Sequence, residues 1–221
     1  MVGISPSEAK RFYDGFGARQ DAQGWYEHPA IRDLLDHAAL ADARSLLEVG
    51  CGTGRVAAEI LTRDETANDL RYLGLDISET MIGLARERLV RFGPRAQVFR
   101  VDVAATDGLP VADGGVDRVL ATYVLELMRP DDRDRLVDAA AKALAPGGLL
   151  CVVNLTEGER GVARLVSGAW RRLVDLSPAR LGGCRPLRLA EALPRDRWEV
   201  VYRRVVAAFA VSSEVLVARP R

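Results

Sequence analysis

Short apolar runs recur along this chain, and most of them end at a glycine or an acidic residue. Leu46-Leu47-Glu48-Val49 runs into Gly50-Cys51-Gly52-Thr53-Gly54, Leu70 to Leu75 ends at Asp76, and Gln97 to Val101 ends at Asp102. Val116 to Ala121 leads into Thr122-Tyr123, and Leu149 to Val153 follows the turn Leu144-Ala145-Pro146-Gly147-Gly148. Runs of this length bounded by turn residues predict strands. Between them, one helix is predicted from about 54 to 63. A second opens at Ser78 and runs to about Phe92, where Gly93-Pro94 stops it. Strands alternating with helices predict an α/β sheet.

The flanks follow other patterns. Ser5-Pro6-Ser7-Glu8 combines an N-cap, a proline at the first helical position and Glu three residues after the cap, predicting a helix to about Tyr13 or Phe16. A second helix, beginning at Pro29, carries Ile31, Leu34, Leu35 and Ala38 on one face. The aromatic cluster Phe12, Tyr13, Phe16, Trp25, Tyr26 and His28 lies between and beside them. Beyond the fifth strand, Val162, Leu165, Val166, Ala169 and Leu173, with Trp170 beside them, predict a helix from about 158 to 176. Leu181 to Pro186 is a loop with two glycines and Arg185; it either walls a pocket or merely connects. Trp198 to Val206 and Val211 to Val217 predict a closing strand pair.

The glycine run carries the chemistry. Three glycines at every second position, between a strand and a helix start, let the backbone turn tightly against a ligand and point free N–H groups at it. The spacing excludes a G-x-G-x-x-G dinucleotide fingerprint, because Arg55 stands at the sixth place, and no Gly-Lys-Ser/Thr of a phosphate-binding loop follows. With Glu48 two residues ahead, the string resembles the E/D-x-G-x-G-x-G signature of the class I S-adenosylmethionine-dependent methyltransferases. The L-x-P-G-G turn before the fifth strand is similar too, and the central motifs resemble those of quinone-pathway methyltransferases. Together these motifs cover about residues 44 to 155.

That resemblance implies a Rossmann-like, doubly wound seven-stranded sheet, mostly parallel with an antiparallel C-terminal strand, under an N-terminal helical lid. It implies one methyltransferase domain over 1–221: a helical cap to 43, a cofactor-binding core at 44–155, a variable substrate-side segment at 156–196 and the strand pair at 197–218. S-adenosylmethionine would be held by Glu48, Gly50, Cys51, Gly52, Gly54, Asp76, Ile77, Met81, Asp102, Val103, Thr122 and Tyr13, leaving S-adenosylhomocysteine as product. Asp76 suits the ribose hydroxyls, and Asp102 with Val103 the adenine. Phe16, Trp25, Tyr26, Trp170 and Arg185 are the candidates for binding the acceptor. Tyr13 and Tyr26 either close a lid or, with the other aromatics, pin the segment to the core.

Methyl transfer needs little acid-base machinery, since the sulfonium already activates the methyl group. Orienting a nucleophile behind it in a dry site is worth up to ~7–11 kcal/mol. His28 is the candidate base if the acceptor arrives protonated, and His37 is read as structural or surface. Tyr123 and Glu126, just past the fourth strand, face the acceptor side in this fold, although Glu126 also reads as an early-helix charge.

Lys+Arg and Asp+Glu both number 31, which offers no standing attraction to nucleic acid or membrane. The Asn/Asp/Ser-Pro-Pro-Tyr/Phe string of amino-methylating DNA enzymes is absent where Ala121-Thr122-Tyr123-Val124 stands. Apolar runs fall short of a membrane span, and three scattered cysteines make neither a disulfide framework nor a zinc site. Asp117 and Asn154 are of a type that could ligate a metal, but Asp117 lies inside the fourth-strand motif, and no metal site is expected. Arginine dominates the basic residues, a pattern of high-GC bacterial genomes. The expectation is a cytoplasmic, monomeric or homodimeric enzyme that methylates O, N or C of a small, partly apolar molecule by in-line displacement. The alternatives are a quinone or lipid methyltransferase, or a catalytically silent cofactor-binding partner protein.

Overall fold

The computed structural model describes residues 5–158, 186–209 and 211–221. Seven strands form one sheet among these residues: β1 (Ser45–Val49), β2 (Arg71–Asp76), β3 (Ala96–Arg100), β4 (Val116–Thr122), β5 (Leu144–Leu155), β6 (Trp198–Ala208) and β7 (Val211–Pro220). Their spatial order is β3-β2-β1-β4-β5-β7-β6. The first five pair in parallel, and β7 runs antiparallel to both β5 and β6. The order reverses at β1, so a crevice opens beyond the carboxyl ends of β1 and β4, where open α/β sheets bind ligands.

Side-chain alternation assigns each strand's residues to two cores. Leu46, Leu120, Cys151, Val153 and Val217 face one core, with α2 (Gly24–His37), α3 (Arg55–Ile60) and α4 (Glu79–Leu89). Leu47, Val119, Val152 and Leu216 face the other, with α5 (Pro130–Ala143) and α6 (Leu189–Ala192). Such double coverage explains why the central strands read as continuous apolar runs.

The amino-terminal helix α1 (Pro6–Phe16) has the expected capping box, with Glu8 N donating to Ser5 Oγ and Ser5 N to Glu8 Oε2. Several elements differ from the sequence reading; among the boundaries, β5 starts at Leu144 and not at Leu149. Helix α2 starts at Gly24 and not at Pro29, because a 3-10 turn over Gly17–Gln23 hands directly into it and Pro29 sits on the exposed side. Helix α3 stops at Ile60, where the Thr62 hydroxyl caps the carbonyls of Ala58 and Glu59 at 2.8 and 3.0 Å. The sequence reading assigns no element between Met128 and Leu144, whereas α5 fills that interval. Its signals are Pro130 at the start, Asp131 and Asp132 in the first turn, and Leu136, Val137, Ala140 and Ala143 buried on one face. The expected helix at 158–176 lies, apart from its first residue, outside the described residues, as do Trp170, Cys184 and Arg185. No described helix is long and apolar enough to cross a membrane.

Candidate active site

The three loop glycines are required for different reasons. All have positive φ, at 71° for Gly50, 52° for Gly52 and 73° for Gly54. A Cβ on Gly50 would stand 2.3 Å from Val124 Cγ2, and one on Gly52 would stand 2.9 Å from Gln20 Oε1. At Gly54 it would meet the Ala85 backbone at 3.2 Å. Gly54 therefore lets α3 pack on α4. The turn is tied to β2 by Gly50 N and Cys51 N, which donate to Leu75 O at 2.7 and 3.0 Å.

Asp76 follows at the end of β2. Its Oδ2 accepts from Gly52 N and its Oδ1 from Ser78 N, both at 2.9 Å. Burial raises its pKa, and backbone N–H donors oppose that rise. Each oxygen keeps a lone pair for a further donor. Asp76 and Ile77 line a cleft of about 810 Å³, solvent at its mouth included, with Leu75, Val101, Asp102 and Val103. Tyr13 of α1 covers it, and Thr122, Tyr123, Val124 and Met128 form the far wall. Asp102 Oδ1 accepts from Ala104 N at 3.1 Å, which orients the carboxylate.

A second, more polar cavity of about 370 Å³, mouth included, continues past Gly50, Thr122 and Tyr123 to Glu27, Glu48, Cys51 and Arg55. Gln20 lines both spaces. Tyr72 donates to Glu48 Oε2 at 2.5 Å, while Glu48 Oε1 has no partner. Burial pushes the Glu48 pKa up to about 8, and the Tyr72 hydroxyl pulls against it.

Three carboxylates bind the amino-terminal segment to these loops. Asp14 Oδ1 accepts from Ser78 Oγ at 2.6 Å, beside Asp76. Asp21 accepts from Thr53 Oγ1 at 2.7 Å and from Arg88 Nη2 at 2.5 Å. Burial pushes Asp21 up, but Arg88, Thr53 and Arg55 together outweigh it and hold the carboxyl below its usual range. Glu27 accepts from Arg55 Nη2 at 2.7 Å, and burial still raises it to about 7. Sequence reasoning missed Asp14, Gln20, Asp21, Glu27 and Arg88. Their partners lie dozens of residues away, and the one available signal was a run of acids beside the aromatics.

The other expected residues divide. Ile77, Asp102, Val103, Thr122, Tyr13 and Tyr123 line the cleft, and Cys51 lines the polar cavity. Tyr123 holds φ 58° while its hydroxyl meets Ser213 Oγ at 2.8 Å, and the Tyr26 ring packs edge-on against it at 6.4 Å. Trp25 is 55% exposed and packs on Tyr26 and Phe209 outside both spaces. Phe16 ends α1, and its side chain is outside those described. His28 turns away from the cleft, with Nδ1 3.7 Å from Glu59 Oε2, because its helical position faces α3. Met81 is wholly buried in the core, where its N–H donates to the Ser78 cap. Asp117 stands at the opposite end of the sheet from Asn154, where it accepts from Arg44 N, Ser45 N and Ser45 Oγ.

Glu126 sits in the turn before α5 and lines neither space. It accepts from Asn154 Nδ2 and, at 3.5 Å, from Leu155 N. Burial raises its pKa from 4.5 to about 8. The folded state thus holds this proton more tightly than the unfolded chain, so stability is lost as pH climbs from about 4.5 to about 8. Glu48 and Glu27 act in the same direction. Glu126→Gln, which resembles the protonated acid, is expected to lose less melting temperature than the wild type between about pH 6 and about pH 9. Equal losses in the two proteins would show that Glu126 is ionised when folded.

A parallel sheet with a glycine turn after β1 and acids at the ends of β2 and β3 has the architecture of open α/β folds that bind ligands beyond the carboxyl ends of their strands. Residues 46–148 match the family model described as a methyltransferase domain. It is 30% identical over 172 residues to trans-aconitate 2-methyltransferase of Azoarcus sp. strain BH72, covering 76% of this chain and 59% of that protein. It is 27% identical over 170 residues to tRNA N(3)-methylcytidine methyltransferase Mettl2 of Drosophila melanogaster, covering 73% of this chain and 52% of that one. The chain therefore spans between half and two thirds of these relatives' lengths. A solved SAM-dependent methyltransferase from Methanosarcina mazei superposes with TM-score 0.64 at 19% identity, over 84% of this chain and 95% of its own, and shares the fold.

Proposed function

We propose that this chain is an S-adenosylmethionine-dependent methyltransferase acting on O, N or C of a small, partly apolar molecule. One observation carries the reading: a single cleft joins the Gly50 turn, the Asp76 and Asp102 carboxylates and an apolar wall ending at Tyr123. The residues fit the cofactor. Gly50 and Gly52 present backbone where any Cβ would collide, both Asp76 oxygens can take ribose hydroxyls, and Leu75, Ile77, Val101 and Val103 offer apolar faces to a base.

S-adenosylmethionine, when bound, supplies a methyl carbon already activated for in-line displacement. The chain's own part is placement and exclusion of water. Tyr13 closes the cleft from the cap, and Tyr123, fixed by Ser213 and Tyr26, stands at the junction with the polar cavity. Burial raises the Tyr123 pKa, so its hydroxyl remains protonated and positions rather than accepts a proton. The trans-aconitate relative supports a small acid. The tRNA relative points toward nucleic acid, but 31 basic against 31 acidic residues argue for the small molecule. In this reading the 221 residues work as one cytoplasmic bacterial domain, monomeric or homodimeric.

The test is calorimetry with S-adenosylhomocysteine, followed by transfer of labelled methyl to panels of small acids, amines, phenols and quinones, and to tRNA. Binding with transfer to a small molecule supports the proposal. Absence of binding removes it, transfer to tRNA alone replaces it, and binding without any transfer points to a silent partner protein.

The cap supplies a separate expectation. If it opens and closes on the cofactor, amides of residues 5–28 exchange faster in the free protein and gain protection with S-adenosylhomocysteine. Equal protection with and without ligand would make Tyr13, Tyr26 and the three carboxylate ties a permanent clamp.

A further inference from the structure

Two buried acceptor oxygens lack any partner at the polar cavity, Gln20 Oε1 on the cap and Glu48 Oε1 on β1. A buried acceptor left unpaired costs about 1–3 kcal/mol, so two belonging to one cavity's lining call for a ligand that donates. The same cavity holds a cation, Arg55, already paired with Glu27 at 2.7 Å. Gln20 also faces the main cleft and lies on Gly52 at the floor of the glycine turn. Its backbone position is set by the next residue, Asp21, through Thr53 and Arg88.

We propose that Gln20 reads the α-amino-acid end of the nucleoside cofactor, its Oε1 accepting from the ammonium and its Nε2 donating to the carboxylate. This makes docking of the cap depend on that end being present. A primary amide matches a zwitterion because it carries one acceptor and two donors on one rigid plane. An ammonium beside it favours the ionised form of Glu48, whose Oε1 then accepts a second N–H from the β1 side. The inference rests on the cofactor reading above and adds a residue that lies outside the glycine motif, on the variable cap. A nucleoside thioether that lacks the amino-acid end fills the cleft beside Asp76 and leaves Gln20 without its partner.

Titration calorimetry with S-adenosylhomocysteine and with 5′-methylthioadenosine, on wild type, Gln20→Leu and Gln20→Ala, tests this. Both variants are expected to bind S-adenosylhomocysteine about tenfold more weakly and methylthioadenosine within about twofold of wild type. Hydrogen exchange adds a second reading: S-adenosylhomocysteine protects residues 5–28 in wild type, and methylthioadenosine does not. Gln20→Ala removes the amide without adding bulk, so agreement between the variants excludes a packing artefact. Equal weakening of both ligands, or no change in either, would overturn the role of Gln20 and leave the cofactor reading standing. Failure of the wild type to bind either compound would overturn both.

Discussion

Asp76→Ala is expected to weaken S-adenosylhomocysteine binding by about 2–4 kcal/mol, roughly 30- to 1,000-fold. Two losses combine. The ribose hydroxyls lose a charged acceptor in a buried site, where such bonds are strongest. The loop also loses the anchors that Asp76 provides to Gly52 N and Ser78 N at 2.9 Å, so the glycine turn and the start of α4 come apart on the ligand's side. Asp76→Asn keeps an acceptor oxygen and should fall between alanine and wild type. Calorimetry decides the matter, with circular dichroism confirming that both variants fold. Unchanged affinity in Asp76→Ala would remove the ribose assignment.

Gly50→Ala is expected to abolish measurable cofactor binding and lower the melting temperature. An L-residue at φ 71° costs about 1–2 kcal/mol, and a methyl 2.3 Å from Val124 Cγ2 adds about 1–3 kcal/mol of overpacking. Val124 has a short branched side chain with no slack to yield, and it belongs to the cleft wall. The double variant Gly50→Ala/Val124→Ala relieves the collision and leaves the backbone strain, so partial recovery of binding is expected. Gly52→Ala should be milder, because there the neighbour is the end of the Gln20 side chain, which can swing aside. If Gly50→Ala bound normally, the turn would not be the cradle.

Much of the site was legible because its parts are local. A glycine turn, the acid that ends the following strand and the helix cap after it are short-range devices, and Gly50, Asp76 and Ser78 each announce themselves within a few residues. His28 and Met81 were legible only as residue types. A histidine beside aromatics looks like a base until the helix beginning at Gly24 rotates it onto Glu59, and Met81 near the acid looks like a cofactor contact, whereas α4 turns its side chain into the core. Glu126 read as a pocket residue or an early-helix charge, whereas the turn before α5 folds it inward against Asn154. One residue of helical phase changes each of these outcomes, and local pattern does not resolve phase to that accuracy.

By itself, the sequence determined the strand sites, the glycine turn, the two acids at strand ends and the L-x-P-G-G turn, since each is a matter of neighbouring residues and backbone conformation. Tertiary structure alone decided that Gln20 faces the glycine turn. It also decided that Asp14, Asp21 and Glu27 clamp the cap onto Ser78, Thr53, Arg88 and Arg55, and that Gly54 serves helix packing. These contacts join segments separated by as many as 67 residues, and burial gives them their strength. Nothing in local order specifies which charges will meet once the sheet has closed.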